Sequence, residues 1–303
     1  MIAFFDCHNL CHKALHTTGN LEHGGNPTGV IFGFFNQVFT FYRVMGPGYI
    51  PIFCWDSKPY LRSHFYPKYK KRNSEYTQEQ KDAYGVLYPQ IDQLRDEILP
   101  RLGFMVWQRP GFEADDLIAF GVSKAKGLRY IVSGDEDLYQ LLGEAVAIYK
   151  PGPNKPFTAG DFISKYGIDP DKWSDVKALA GCSGDNVEGV KKVGEATAIK
   201  YLNHRLKPST KAWKSIKEAE ANGIIKRNIN LVKLPFLPFG GKFSFGWVEE
   251  WEEWWDENGF INDVALNNWP HLYKGNFLSV FEEFGFQSLI ARMGEISKNF
   301  FLY

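Results

Sequence analysis

Short apolar runs alternate with helical patterns through the first half of the chain. Residues 2–5, 49–55, 104–107, 128–133 and 145–149 each read as a strand. Residues 29–45, apolar nearly all round, predict a helix. Residues 113–126 predict an amphipathic one, with Leu117, Ile118, Val122 and Ala125 along one face. Residues 137–142 predict a short helix. Strands alternating with helices indicate an α/β fold, a parallel sheet covered on both faces. After about residue 157 the pattern changes to short helices joined by Gly-rich turns.

In such sheets, sites form beyond the carboxyl ends of the strands. Asp6 ends the first strand and Asp56 the second; Glu113, Asp115 and Asp116 open the helix after the third; Asp135 and Asp137 follow the fourth. One acid after a strand is unremarkable, but acids after four strands form a constellation. Without accompanying His or Cys, such a cluster points to a hard cation with oxygen ligands, Mg²⁺ or Mn²⁺. Two divalent ions roughly 3.5–4 Å apart suit phosphodiester cleavage. Glu113 and Asp116 stand at i and i+3, on one helix face. Taken alone, Glu-Ala-Asp-Asp complements a helix dipole; with the other strand-end acids it reads as part of a metal site.

Composition changes this picture in one respect. The 303 residues hold 35 Lys plus Arg and 35 Asp plus Glu, a formal net charge of zero that argues against a uniformly basic nucleic-acid binder. The charges are nevertheless segregated. Residues 186–233 carry eleven Lys/Arg against four acids, residues 57–81 seven Lys/Arg against two Glu, and residues 247–263 seven acids and no Lys or Arg. Hydrophobic residues at 44% supply a core and exclude wholesale disorder. No apolar run reaches the ~18 residues of a membrane span, and the N-terminus lacks a signal-peptide pattern. Four cysteines make no disulfide framework, so a reducing, intracellular compartment is expected.

The segment from Gly184 to Gly194, with Glu-Ala-Thr-Ala-Ile after it, has a mechanical reading. Gly189 and Gly194 permit tight turns, and Gly194 opens a helix whose free N–H groups can meet a phosphate. Lys191 and Lys192 add charge without base readout, so contact with nucleic acid there is expected to be independent of sequence.

Asp6-Cys-His-Asn-Leu10, Pro27-Thr-Gly-Val-Ile-Phe-Gly33, Gly111-Phe-Glu-Ala-Asp-Asp116, Ser133-Gly-Asp-Glu-Asp137 and the 184–198 segment together resemble the 5′ nuclease family. That family includes flap endonucleases, the 5′-nuclease domain of bacterial DNA polymerase I and stand-alone phage 5′ exonucleases. Residues 227–235 are similar to the segment after its helix–three-turn–helix, and 281–290 to its closing helix. The resemblance implies a PIN-like parallel-sheet nuclease core over 1–170 with a helical arch at about 57–95. It further implies a DNA-gripping helix–three-turn–helix over 171–235 and a C-terminal extension, 236–303, packing back on the core. It implies cleavage of DNA 5′ ends, flaps or nicks, with RNA primers in hybrids as a further substrate, by a monomer in the cytoplasm of a bacterial cell or phage-infected host. Two Mg²⁺ ions, with Mn²⁺ able to substitute, would be held by Asp6, Asp56, Glu113, Asp115, Asp116, Asp135, Asp137 and Asp185, with K⁺ in the hairpin at 184–198. Lys70, in the arch, would meet the scissile phosphate, acting with Asp116 and Asp135. Lys13, Lys71, Arg72, Gly189, Lys191, Lys192 and Gly194 would face DNA, and His16 falls at a family position.

Three departures stand out. Cys182 replaces an acid usual in bacterial and phage members, which implies a weakened second metal site with Mn²⁺ favoured. Arg72 sits one position early in the arch motif. Lys13 stands where an Arg is usual, keeping the charge but losing the bidentate fork. Two further features have bland readings. Cys7, His8, Cys11, His12 and His16 fall at helical intervals that suggest zinc, but one helix after the first strand explains them. Trp247, Trp251, Trp254 and Trp255 predict an amphipathic helix packing on its own core, the alternative being a dock for a replication partner.

Overall fold

The protein is described by a computed structural model over residues 1–71, 75–236 and 274–300. Five parallel strands run in the order β3 (Met105–Gln108), β2 (Ile50–Trp55), β1 (Ile2–Asp6), β4 (Arg129–Val132), β5 (Val146–Lys150), and β6 (Lys155–Phe157) closes the edge antiparallel to β5. The order reverses at β1, between β2 and β4, which is where doubly wound sheets open a crevice.

Alternation along the strands fills two cores. Ile2, Phe4, Ile52 and Cys54 point to one face, where they meet Leu117, Ile118, Ile131 and Trp173. Ala3, Phe5, Phe53 and Trp55 point to the other, against Phe34, Phe35 and Phe41. That second face is covered by α1 (Cys7–Thr18) and α2 (Gly29–Met45), which approach closely: a Cβ on Gly33 would lie 2.7 Å from the Ala14 Cβ. Residues 274–300 pack there too, with the Phe281 ring 5.6 Å from Phe35 and the Phe277 ring 5.9 Å from Phe39.

The first face carries α5 (Ala114–Lys124), α6 (Ala159–Tyr166) and α7 (Trp173–Ala180). A hairpin follows (Gly181–Cys182 paired with Val187–Glu188), then α8 (Glu195–Leu202), α9 (Lys211–Ala221) and α10 (Ile224–Val232). Between β2 and β3 lie the short α3 (Leu61–Phe65) and α4 (Gln78–Gln93), which continues as a π-turn over Leu94–Ile98 and ends at Leu99–Arg101. Pro89 lies inside α4, whose start is fixed by a Thr77–Gln80 capping box.

The strands expected from the apolar runs are present within one residue at most ends, and the 29–45 helix is reproduced at both ends. The hydrophobic pattern anticipated neither strand β6 nor the 78–101 helical run, the greater part of which falls within the stretch, about 57–95, where the resemblance implies a helical arch. The segment 281–290 is not one helix: Lys274–Glu283 and Gln287–Ala291 are separate, joined through Gly285 at φ 68°. Arg72 and the tryptophan segment 247–263 lie outside the described residues. No helix among the described residues is long and apolar enough to cross a membrane.

Candidate active site

Asp6 ends β1 and caps α1, accepting the Asn9 amide at 3.2 Å and the Ser133 hydroxyl at 2.7 Å. Ser133 follows β4, so the two strands flanking the sheet's reversal fix this carboxylate together. Asp56, just beyond β2, accepts the Ala114 amide at 2.8 Å and the Tyr60 hydroxyl at 3.2 Å. Asp135 accepts the Asp137 amide at 2.8 Å. Asp115 stands in the first turn of α5. Each is thus aimed into the crevice by a strand end or helix start.

Glu113 and Asp116 do share a helix face, and Arg62 claims them both. From α3 its guanidinium donates to Glu113 Oε2 (2.8 Å) and, as a fork, to Asp116 Oδ2 (2.5 Å) and Oδ1 (2.7 Å). Its Nε reaches the Leu231 carbonyl at 2.9 Å, and its plane lies 4.7 Å from the Phe236 ring centre. Asp116 also accepts the amides of Glu113 (3.2 Å) and Phe236 (2.7 Å) and is fully buried. With both oxygens committed inside the protein, Asp116 is a structural anchor, and the structure does not support it as a metal ligand or catalytic group. Glu113 keeps its Oε2 on Arg62 and on the Tyr69 hydroxyl (2.7 Å), and its Oε1 meets the Lys70 ammonium.

A second group lies on the other side of Asp135. Asp137, Cys182 and Asp185 offer ligand atoms within 4.8 Å of one another. Asp137 is paired with Lys177 at 3.0 Å, and the Cys182 thiol lies 3.8 Å from Asp137 Oδ2. Asp185 is 3.5 Å from the Lys70 ammonium and accepts the Lys70 amide at 2.8 Å through its carbonyl. The hairpin and residues 68–71 are therefore one unit: Asn186 also donates to the carbonyls of Lys68 and Lys71.

Crowding of acids shows in their protonation. Burial pushes Asp6 up to about 7, with Asp135 and Asp56 adding repulsion against the Ser133 hydrogen bond. Asp115 is raised by burial and then by Asp135 and Asp6, and Asp135 by burial and Asp137. Burial takes Asp185 up to about 6 despite Lys70. Asp56 goes the other way. Burial would raise it, but nearby His8 and Lys70 and its two hydrogen bonds hold it low. The His8 ring is itself pushed toward neutrality by burial, and its Nδ1 accepts the Asp56 amide at 3.1 Å. The anion at Asp56 therefore rests mainly on Lys70 and the hydrogen bonds.

All-oxygen donors that repel one another, with no cationic side chain within ion-pair distance of Asp6, Asp115 or Asp135 among the described residues, fit a hard divalent ion. The raised acids bind protons more tightly folded than unfolded, where aspartate titrates near ~3.9. Their contribution to stability is therefore full below about pH 4 and is lost as pH climbs through the values near 6 and 7 of Asp185 and Asp6. In EDTA, the melting temperature is expected to fall between pH 5 and pH 8, and saturating Mn²⁺ should remove most of the fall. A flat EDTA profile in thermal melts would contradict the crowding.

The other expected residues are placed as follows. Lys70 and Lys71 line a cleft of about 480 Å³ with His8, His12, Asp56 and Tyr84. Lys13 faces away from that cleft: its ammonium meets the Pro151 carbonyl in a separate polar pocket beside Arg43 and Arg292, so the structure does not bring it to the carboxylates. His16 is exposed in the last turn of α1, a turn beyond His12. Cys7 and Cys11 are buried in the core, which removes the zinc reading for that helix. Gly194 caps α8, and Lys191 and Lys192 are exposed before it. Gly189 makes no tight turn of its own. A Cβ there would lie 2.2 Å from the Ala180 carbonyl, so glycine is required by close backbone packing against Gly181. Arg62, Tyr69 and Lys177 were missed, because their partners lie far away in sequence and no local pattern marks them.

Residues 1–167 match the family described as 5′-3′ exonuclease, N-terminal resolvase-like domain, and this chain belongs to that family. The 5′-3′ exonuclease of Aquifex aeolicus (strain VF5) is 35% identical over 181 residues, 59% of this chain and 60% of that protein. The thermostable DNA polymerase I of Thermus aquaticus is 32% identical over 206 residues, 66% of this chain but 23% of the polymerase. The chain thus matches only part of the length of both relatives. Among solved structures, the T5 D15 protein co-crystallised with metal ions superposes with a TM-score of 0.64 at 18% identity, covering 77% of this chain and 89% of that one. A T5 D15 flap endonuclease variant in a pseudo-enzyme–product complex with DNA and metal ions gives 0.62 at the same identity. At that identity the likeness establishes a shared fold.

Proposed function

We propose that the chain is a structure-specific 5′ nuclease, a 5′→3′ exonuclease and flap endonuclease that hydrolyses DNA phosphodiesters with Mg²⁺, for which Mn²⁺ can substitute. The observation that carries the reading is the convergence of Asp6, Asp56, Asp115 and Asp135 on one crevice at the sheet's reversal, beside Lys70. These four are the ligands we assign to a divalent ion; Glu113 is instead occupied by Arg62, Tyr69 and Lys70. A divalent ion bound there supplies Lewis-acid stabilisation of charge on the phosphate and lowers the pKa of attacking water. The side chains do the remaining work. Ser133 and the Ala114 amide hold two carboxylates in fixed orientation. The Lys70 ammonium, shared between Glu113 and Asp185, stands where it can meet a phosphate and offset the charge that builds on it as it is attacked. The family complex with DNA and metal ions supports carrying substrate and metal to this chain.

In this reading the duplex lies along 171–235, with K⁺ in the hairpin at 184–198, and the free strand passes beneath the arch. A 5′-labelled flap incubated with Mg²⁺, Mn²⁺ or EDTA tests it: product with either metal and none in EDTA is expected. Cys182 favours one competing reading, a DNA-binding protein that has lost catalysis, and absence of product under every metal condition would establish that instead. An RNA 5′ strand in the same assay tests primer removal. Binding should be electrostatic and independent of sequence. Replacing Lys191 and Lys192 with Ala is expected to lower the slope of log affinity against log salt by about 1 per lysine. Fluorescence anisotropy across a salt series measures it, and an unchanged slope would place the duplex elsewhere.

A further inference from the structure

The two halves of the carboxylate cluster are not chemically alike. Asp6, Asp115 and Asp135 have no cationic side chain in contact among the described residues. In the other half, both carboxylates already hold an ammonium: Asp137 is 3.0 Å from Lys177 Nζ and Asp185 3.5 Å from Lys70 Nζ. The third donor is the Cys182 thiol, 7% exposed, soft and without the negative charge an acid would bring.

Lys177 is built into its position. Its side chain is 13% exposed, and its ammonium is bridged to Glu195 of α8 at 3.2 Å as well as to Asp137. That ammonium also lies 5.3 Å from the ring centre of the fully buried Trp173. Lys177 stands one turn before the hairpin that carries Cys182, so the uncharged thiol and the residue that supplies a cation belong to one local unit. A hard divalent ion entering between Asp137 and Asp185 would have to displace an ammonium from each and would gain a thiol as its third ligand. A carboxylate at position 182 would add a third charge to draw the ion in; with a thiol there, the ion would have to compete with ammoniums that each already bridge two carboxylates, Lys177 between Asp137 and Glu195 and Lys70 between Asp185 and Glu113.

We infer that the Lys177 ammonium, held against Asp137, fills the second cation position of this chain, so that it takes up one divalent ion at Asp6, Asp56, Asp115 and Asp135 and no second ion between Asp137 and Asp185. Lys177 is then a positioning residue: it fixes Asp137, whose amide in turn orients Asp135. The inference rests on the nuclease reading for the first ion, and a binding measurement on the full chain without DNA separates the two.

Equilibrium dialysis against Mn²⁺, well above the first site's dissociation constant, is expected to give one ion per chain for the wild type. The double variant Cys182→Asp with Lys177→Met, which restores the acid and removes the tethered cation, should bind two. Lys177→Arg should stay at one, and circular dichroism identifies any variant that fails to fold, in which case Cys182→Asp with Lys177→Gln replaces it. Two ions on the wild type, or one on the folded double variant, would overturn the inference and leave the nuclease reading standing. No ion on the wild type would overturn both.

Discussion

Replacing Asp135 with Asn is expected to cut flap cleavage by at least about 10²-fold, because loss of even the outer partners of metal ligands costs roughly 10–100-fold. Asn keeps the shape and the oxygen that accepts the Asp137 amide, so the loop over 133–137 should hold its form. The same change removes one of the charges that crowd Asp6 and Asp115. In EDTA at neutral pH the variant should therefore melt higher than the wild type even as it loses activity. Flap binding, carried by the basic surfaces, should change little. Cleavage assays, melts and anisotropy on one preparation check all three. Full activity with Mg²⁺ would remove Asp135 from the metal site, and a lowered melting point would contradict the repulsion.

The second large effect is expected at Arg62. Arg62→Met leaves Glu113 and Asp116 buried without their guanidinium, and removing one partner of a buried pair costs about 3–5 kcal/mol. Arg62 is 3% exposed and serves four acceptor atoms, so the upper part of that range applies. Arg62→Lys should recover little, since an ammonium has no planar fork. Adding Asp116→Asn to Arg62→Met should recover part of the loss, because the amide oxygen can still accept from Phe236 without a stranded charge. Denaturant melts of these proteins and of Asp116→Asn alone check this; additive losses in the double variant would show that the two residues are not coupled.

Much of the fold was legible because strands buried on both faces are nearly continuous apolar runs, and 2–5 and 49–55 are of that kind. The site's location was legible for a related reason: a doubly wound sheet presents its strand ends together, so acids after four strands had to meet. What was not legible was the division of labour among them. The i, i+3 relation put Glu113 and Asp116 on one face without saying whether that face looks into the crevice or into the protein. Arg62 decides it, and its partners stand 51, 54 and 169 positions away. Nothing local marks Lys177, because Asp137, which it holds, lies 40 residues earlier. The helical run over 78–101 was hidden by Pro89 and by the aromatic, basic stretch before it. Helix propensity is a weak guide where tertiary packing overrides it.

Arg62 also sets a schedule. It joins α3 to the start of α5 and to the carbonyl of Leu231, and Asp116 waits for the amide of Phe236, 120 positions later. During synthesis from the N-terminus, the sheet and its acids emerge well before that last partner does. A chain still on the ribosome would carry the carboxylates with their clamp unfinished. The clamp on Asp116 would close only once residue 236 has left the exit tunnel.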